Sequence, residues 1–200
     1  SCESWVYQNF LDNKYEEIVI CIIQMLFDID RIEVKESNFI GLRLEDLKLK
    51  PEETIREFCN WMEVSQEESL FSMTAQGKKW WGDNGVLNTS AFGMMPKFKG
   101  KVFSKNDRFI LNTLFYPFCE RFGYVKKDLK KFKKDLKTVF PMINNIFDYE
   151  KVIIENTKTT TKQFKKSTSY FYFRSKLLDR WKVLNKYYTY PNMIEPMKIK

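Results

Sequence analysis

The stretch GLRLEDLKLKPEETIREFCNWMEV, Gly41 to Val64, changes its hydrophobic period part-way along. At its start, within NFIGLRL (Asn38 to Leu44), Ile40, Leu42 and Leu44 alternate with Gly41 and Arg43. That period of two predicts a strand, ended by Glu45 and Asp46. Beyond Pro51 the period lengthens, with Ile55, Phe58, Cys59 and Met62 at i, i+3, i+4 and i+7. This predicts a helix with one buried face, opened by Pro51 at its first position and followed by Glu52 and Glu53. Ser65, with Glu68 three residues later, has the form of a capping box and predicts a further helix through Leu70 and Met73.

Outward from this stretch the chain reads as helices. From Tyr15 to Asp28 it is apolar nearly all round after an acidic start, which predicts a helix packed on both sides, with a buried strand as the competing reading. Ser104 is a cap for a helix whose Phe109, Leu111, Leu114, Phe115, Phe118 and Phe122 form a broad apolar face, stopped at Gly123. KKDLKKFKKDLK, Lys126 to Lys137, holds seven Lys against two Asp, yet Val125, Leu129, Phe132, Leu136 and Val139 keep helical spacing through it. That pattern predicts a surface helix with one buried stripe and a solvated basic face. The Thr- and Lys-rich residues 157–169 lack periodicity and read as a flexible loop. Phe173, Leu177, Trp181, Leu184 and Tyr188 then predict a final helix before Pro191. The expected fold class is mostly α with one or two strands, residues 1–200 forming a single partial domain.

Composition narrows the function classes. An aromatic content of 16%, with 18 Phe, argues against a disordered chain, because such a sequence has ample apolar area to offset its ordering entropy. The net charge of +8 suits an anionic partner without selecting nucleic acid, a membrane surface or a small phosphorylated ligand. Histidine is absent, which removes every Ser/His or Cys/His nucleophile arrangement and the commonest metal ligand. Cys2, Cys21, Cys59 and Cys119 are scattered without a CxxC pair and read as reduced core thiols, with a disulfide pair as the minor alternative and a zinc site ranked last. The longest apolar run, Ile18 to Phe27, is shorter than the roughly 20 residues of a spanning helix, so no transmembrane segment is expected. The chain begins at Ser and shows no targeting signal, from which we expect a missing natural start and a cytoplasmic protein.

Between Ala75 and Gly100 lie five of the seven glycines, predicting a long irregular loop of the kind that carries function. Within it, TAQGKKWWGDN, Thr74 to Asn84, follows the strand, acidic turn and Pro-started helix of Gly41 to Val64. Together the two segments resemble sulfotransferases. That family shows an Arg-Tyr-Glu-Asp-Leu element leading into a Pro-Glu helix, then a Gly-Lys-x-Trp-x-Gly loop. SKNDRFILNTLFYPFCERFGY, Ser104 to Tyr124, is similar to the family helix that ends in a Gly-Tyr pair, so the resemblance covers about residues 40 to 125.

The resemblance implies a transferase that moves a sulfuryl group from 3′-phosphoadenosine 5′-phosphosulfate (PAPS) to a hydroxyl or amine acceptor. This chain would be the carboxy-terminal part of a P-loop-like α/β fold. Gly77, Lys78, Lys79, Trp80, Trp81 and Gly82 would then bind the cofactor. The glycines admit backbone N–H groups to a phosphate, the lysines place charge beside it, and a Trp offers a face to the adenine. The competing role of the loop is plain packing of both Trp into a core. Arg43, Glu45 and Asp46 rank first as scaffold, and Leu44 stands where the family has an aromatic residue. No Gly-rich phosphosulfate loop and no catalytic base occur, so no catalytic residue and no metal ligand is assigned, and the chain alone is expected to be inactive. The alternative is a basic helical nucleic-acid-binding or protein-interaction module. Nucleic acid ranks below the nucleotide donor as a partner, because Lys outnumbers Arg and most aromatics sit at buried spacing.

Overall fold

The computed structural model describes residues 2–27, 39–72, 74–75, 78–79, 100–189 and 193–199. In chain order the helices are α1 (Cys2–Leu11), α2 (Tyr15–Phe27), α3 (Leu44–Leu49), α4 (Pro51–Met62), α5 (Lys105–Leu114), α6 (Tyr116–Arg121), α7 (Leu129–Ile143), α8 (Asp148–Asn156), α9 (Thr161–Phe164) and α10 (Thr168–Tyr187). Strand is confined, among the described residues, to β1 (Thr74–Ala75) and β2 (Lys78–Lys79). The chain is therefore mostly α. It falls into two compact units where the sequence suggests one: Ser1–Asn38 with Phe98–Ile194, and Phe39–Lys97 with Glu195–Lys200. No composition shift marks the division, because the second unit is an excursion from the first and is closed by the last residues of the chain.

The first unit is a helical bundle built on the apolar stripes. Helix α10 packs on α7, α2 and α5, and α5 packs on α7 and α8. Ile18 and Ile22 of α2, Leu136 and Val139 of α7, and Phe173 and Leu177 of α10 are shielded from solvent almost completely. Each such side chain contributes about 1.5–3 kcal/mol relative to leaving it in water. The helix reading of Tyr15 onward holds, and so does the final helix.

Three boundaries differ from the sequence reading. The helix opened by Ser104 breaks at Phe115 into α5 and α6, because Pro117 lacks an N–H and its ring opposes the carbonyl four residues back. Helix α7 starts at Leu129 with Asp128 as its cap, leaving Val125 before the helix and both Val125 and Leu129 exposed. Residues 157–169, read as a flexible loop, contain α9, where Thr160 and Gln163 form a reciprocal capping box. Buried Phe164 lies against Tyr15 with ring centres 4.5 Å apart, so the segment is pinned by packing that its polar composition hides.

Gly123 ends the α6 region with φ at 72°. A Cβ is unfavourable there, so Gly123→Ala is expected to lower unfolding stability by about 1 kcal/mol, with Gly123→Asn costing less. Urea denaturation checks this, and an unchanged midpoint for Gly123→Ala would refute it.

In the second unit the strand expected over 38–44 is absent from the described residues 39–44. Gly41 makes a single parallel bridge to Pro196, accepting from the Met197 N–H and donating to the Glu195 carbonyl. Leu44 already belongs to α3, whose first turn holds Glu45 and Asp46. The alternation is real, but among the described residues it pairs through the Gly41 bridge alone. Helix α4 forms as read, opened by Pro51, and buries Thr54, Ile55 and Cys59, while Phe58 and Met62 remain largely exposed. In place of the helix assigned to Ser65, a 3₁₀ turn spans Glu68–Phe71, with Glu67 in the cap position and no side-chain cap bond.

Cys21, Cys59 and Cys119 are free thiols, and no group of His, Cys, Asp and Glu suited to a metal occurs among the described residues. No described helix is long and apolar enough to cross a membrane.

Candidate functional site

The residues singled out by sequence lie in the second unit. Arg43 precedes α3 with extended backbone, and its Nε stands 3.4 Å from Asp46 Oδ2. This is an ion pair across one helical turn. The Lys50 N–H bonds the Asp46 carbonyl at 2.8 Å, while the Thr54 N–H bonds the Lys50 carbonyl at 3.0 Å. Lys50 thus closes α3 and opens α4, and Pro51 then needs no donor because its position has no intrahelical acceptor. At the other end Glu63 adopts a left-handed conformation, φ 56°, and the Val64 N–H returns to the Cys59 carbonyl at 3.0 Å. The chain therefore leaves α4 along a defined path.

That path reaches a hairpin. Thr74 pairs with Lys79 and Ala75 with Lys78, antiparallel, so two adjacent lysines form the second strand of the pair. The start of the segment read as an irregular loop is consequently regular at Lys78 and Lys79. Gly77, Trp80, Trp81 and Gly82, the other members of the expected cofactor loop, lie outside the described residues, as does most of the Ala75 to Gly100 loop. Of the six expected contact residues, the hairpin fixes the backbone of two.

The first unit holds a polar cluster that the sequence reading passed over. Glu150 is inaccessible to solvent; it accepts from the Tyr15 hydroxyl at 2.7 Å, from the Phe147 N–H at 2.8 Å, and from Arg174 Nη2. Arg174 also donates to the Asn145 carbonyl at 2.9 Å, and its guanidinium carbon lies 4.3 Å from the Phe147 ring centre and 4.4 Å from that of Tyr170. Its Nε and Nη1 have no hydrogen-bond partner among the described residues and are covered by these aromatic faces.

Burial pushes the Glu150 carboxyl above the usual carboxylate range, while Arg174, Tyr15 and the Phe147 amide pull it back. Burial, then the Glu150 charge, pushes the Tyr15 hydroxyl up strongly, and the neighbouring Tyr149 hydroxyl goes the same way. A carboxylate and a phenol in hydrogen-bond contact could exchange a proton, but neither is open to a substrate, so the cluster acts as scaffold. One signal for it was present: Arg174 sits beside Phe173 and three residues before Leu177, a charge inside an apolar stripe.

A second buried acid organises helix starts. Asp107, 1% exposed, accepts from the Ser104 N–H of its own capping box and from the Asp148 and Tyr149 N–H groups at the start of α8. At the surface, the Phe103 and Val102 amides and the Arg108 guanidinium outweigh burial and hold Glu3 below its ordinary range, while hydrogen bonds from Lys151 and Ser104 do the same for Asp148. These are structural carboxylates. The described residues bring together no nucleophile, base and acceptor cavity.

No family model, curated protein or solved structure matches the chain.

Proposed function

We propose that the chain supplies the 3′-phosphate and adenine side of a PAPS site, with acceptor-side helices, in a sulfotransferase of α/β fold. The observation that carries the proposal is the order of elements in the second unit: the Arg43–Asp46 turn, α4 opened by Pro51, and a hairpin whose second strand is Lys78–Lys79. That order follows the family motifs. The family strand is reduced here to the single bridge at Gly41, so the proposal rests on the turn, the helix and the hairpin. The exposed Phe58, Trp61, Met62 and Val64 of the α4 region give further support, since a helix that flanks a sheet keeps such a face.

In the reaction the bond from sulfur to the bridging phosphate oxygen breaks and a bond from sulfur to the acceptor oxygen or nitrogen forms. The acceptor gives up its proton, and adenosine 3′,5′-bisphosphate leaves. The two lysines would neutralise its 3′-phosphate, while the base and the phosphosulfate loop have no counterpart in this chain. Calorimetry with adenosine 3′,5′-bisphosphate tests the reading. The chain is expected to bind, and Lys78→Ala/Lys79→Ala to bind at least about tenfold more weakly, as loss of charge-assisted phosphate contacts requires. Absence of binding at about 1 mM ligand, or equal binding by the variant, would falsify it.

A further inference from the structure

Helix α7 carries its charge asymmetrically. Phe132, Leu136, Val139 and Ile143 are buried, and they fix which side faces out. Lys130, Lys133, Lys134 and Lys137 fall at i, i+3, i+4 and i+7 on the opposite side, all exposed. With 3.6 residues per turn these four form one continuous stripe, and the arc that holds them contains no acid. Asp128 and Asp135 lie on the far flank, where Asp128 caps the helix and Asp135 takes Lys131 at 2.6 Å. The stripe holds four like-charge pairs at three and four residues' spacing, an arrangement that destabilises a helix unless an anion lies against it.

The near flank is apolar. Leu129 and Phe140 occupy the arc between the buried stripe and the lysines, 42% and 45% exposed. Phe140 packs against Trp181, the rings tilted and their centres 4.3 Å apart, and Lys133 Nζ sits 4.2 Å from the Tyr188 ring centre. A lysine stripe bordered by Leu, Phe, Trp and Tyr, with no Arg, matches the surface of an anionic bilayer. Lysines attract acidic headgroups while the aromatic and aliphatic rim sits at the headgroup level. A phosphodiester chain would gain nothing from Leu129, and it is ordinarily read with Arg.

We infer that α7 is a docking face for an anionic lipid surface, held by the stripe Lys130, Lys133, Lys134 and Lys137 and by the Leu129 and Phe140 flank. This stands apart from the nucleotide reading, which concerns the other unit. Binding is electrostatic and shallow, since the apolar stripe of α7 is committed to the core.

Vesicle co-sedimentation tests it, with phosphatidylcholine alone and with added phosphatidylserine. The chain is expected to bind only the latter and to be released at high salt. Reversing the stripe (K130E, K133E, K134E, K137E) is expected to weaken binding at least about a hundredfold, and Leu129→Ser several-fold. Reversing four exposed lysines elsewhere (K158E, K162E, K165E, K166E) makes the same change in net charge and should leave most of the affinity. The inference is overturned by absence of binding to acidic vesicles, by equal loss in both sets of variants, or by tighter binding to a single-stranded oligonucleotide than to vesicles. Circular dichroism on each variant reports its fold.

Discussion

Replacing Arg174 by Ala is expected to lower unfolding stability by about 3–5 kcal/mol, a large share of the roughly 5–15 kcal/mol of a typical domain. The loss follows from what stays behind. Glu150 would keep its position with no access to water, retaining the Tyr15 hydroxyl and the Phe147 amide but no counter-charge. The rings of Phe147 and Tyr170 would face a void where the guanidinium stood. Replacing both partners by apolar residues, Arg174→Met with Glu150→Leu, is expected to cost much less than either truncation, because no buried charge is then orphaned.

The pH dependence carries a sign. Glu150 is already pushed up by burial, and without Arg174 it goes higher. A group with a raised folded pKa favours the fold below its unfolded value, about 4.3, and loses that contribution as pH rises through the folded value. The deficit of Arg174→Ala should therefore be smaller near pH 4 than at pH 7. Urea titrations at the two pH values measure it, and a deficit under about 1 kcal/mol at pH 7 would remove the cluster from the structural core.

The same residues show what a sequence discloses and what it hides. Apolar spacing located α2, α4, α7 and α10 because burial of one stripe is what forms them, and the stripe is written at fixed intervals. Arg174 goes beyond that inference, since the stripe shows a cation inside it but not its partner, Glu150, 24 residues earlier on α8. Ile40, Leu42 and Leu44 mislead in the opposite way. Their alternation is a sound strand signal, but a strand also needs a neighbour, and among the described residues Gly41 finds only Pro196. Ser65 and Glu68 have capping-box spacing, yet the helix begins one turn late, as a 3₁₀ turn without a side-chain cap. The candidate site was legible only as order along the chain. Lys78 and Lys79 stand out through the likeness of their loop to a family motif, and their pairing with Thr74 and Ala75 is not specified by such a motif.

Asp107→Ala is expected to cost about 2–4 kcal/mol, more than the roughly 1 kcal/mol of removing an ordinary cap. The reason lies at the start of α8. Its cap position is Phe147, which has no acceptor side chain, and its first two amides would be orphaned but for Asp107 reaching across from α5. Oδ1 takes the Asp148 N–H at 2.9 Å, and Oδ2 takes those of Tyr149 at 3.1 Å and Ser104 at 3.2 Å. One carboxylate therefore serves two helix termini while placing negative charge where both dipoles are positive. Ser104→Ala, which leaves the Asp107 bonds to the α8 amides in place and removes the Ser104 hydroxyl with its own bond to Asp148 Oδ2 at 2.6 Å, provides the comparison. Hydrogen exchange at the Asp148 and Tyr149 amides should accelerate in Asp107→Ala and change little in Ser104→Ala. If the two variants lose equal stability, the Asp107 carboxylate contributes nothing beyond what the Ser104 hydroxyl supplies through its cap bonds and its bond to Asp148. Because Glu150 lies on the same first turn of α8, a cap that orders this turn also aims the carboxylate at Arg174. Asp107→Ala and Arg174→Ala should then cost less together than the sum of their separate losses, and strict additivity would show that the two acids act independently.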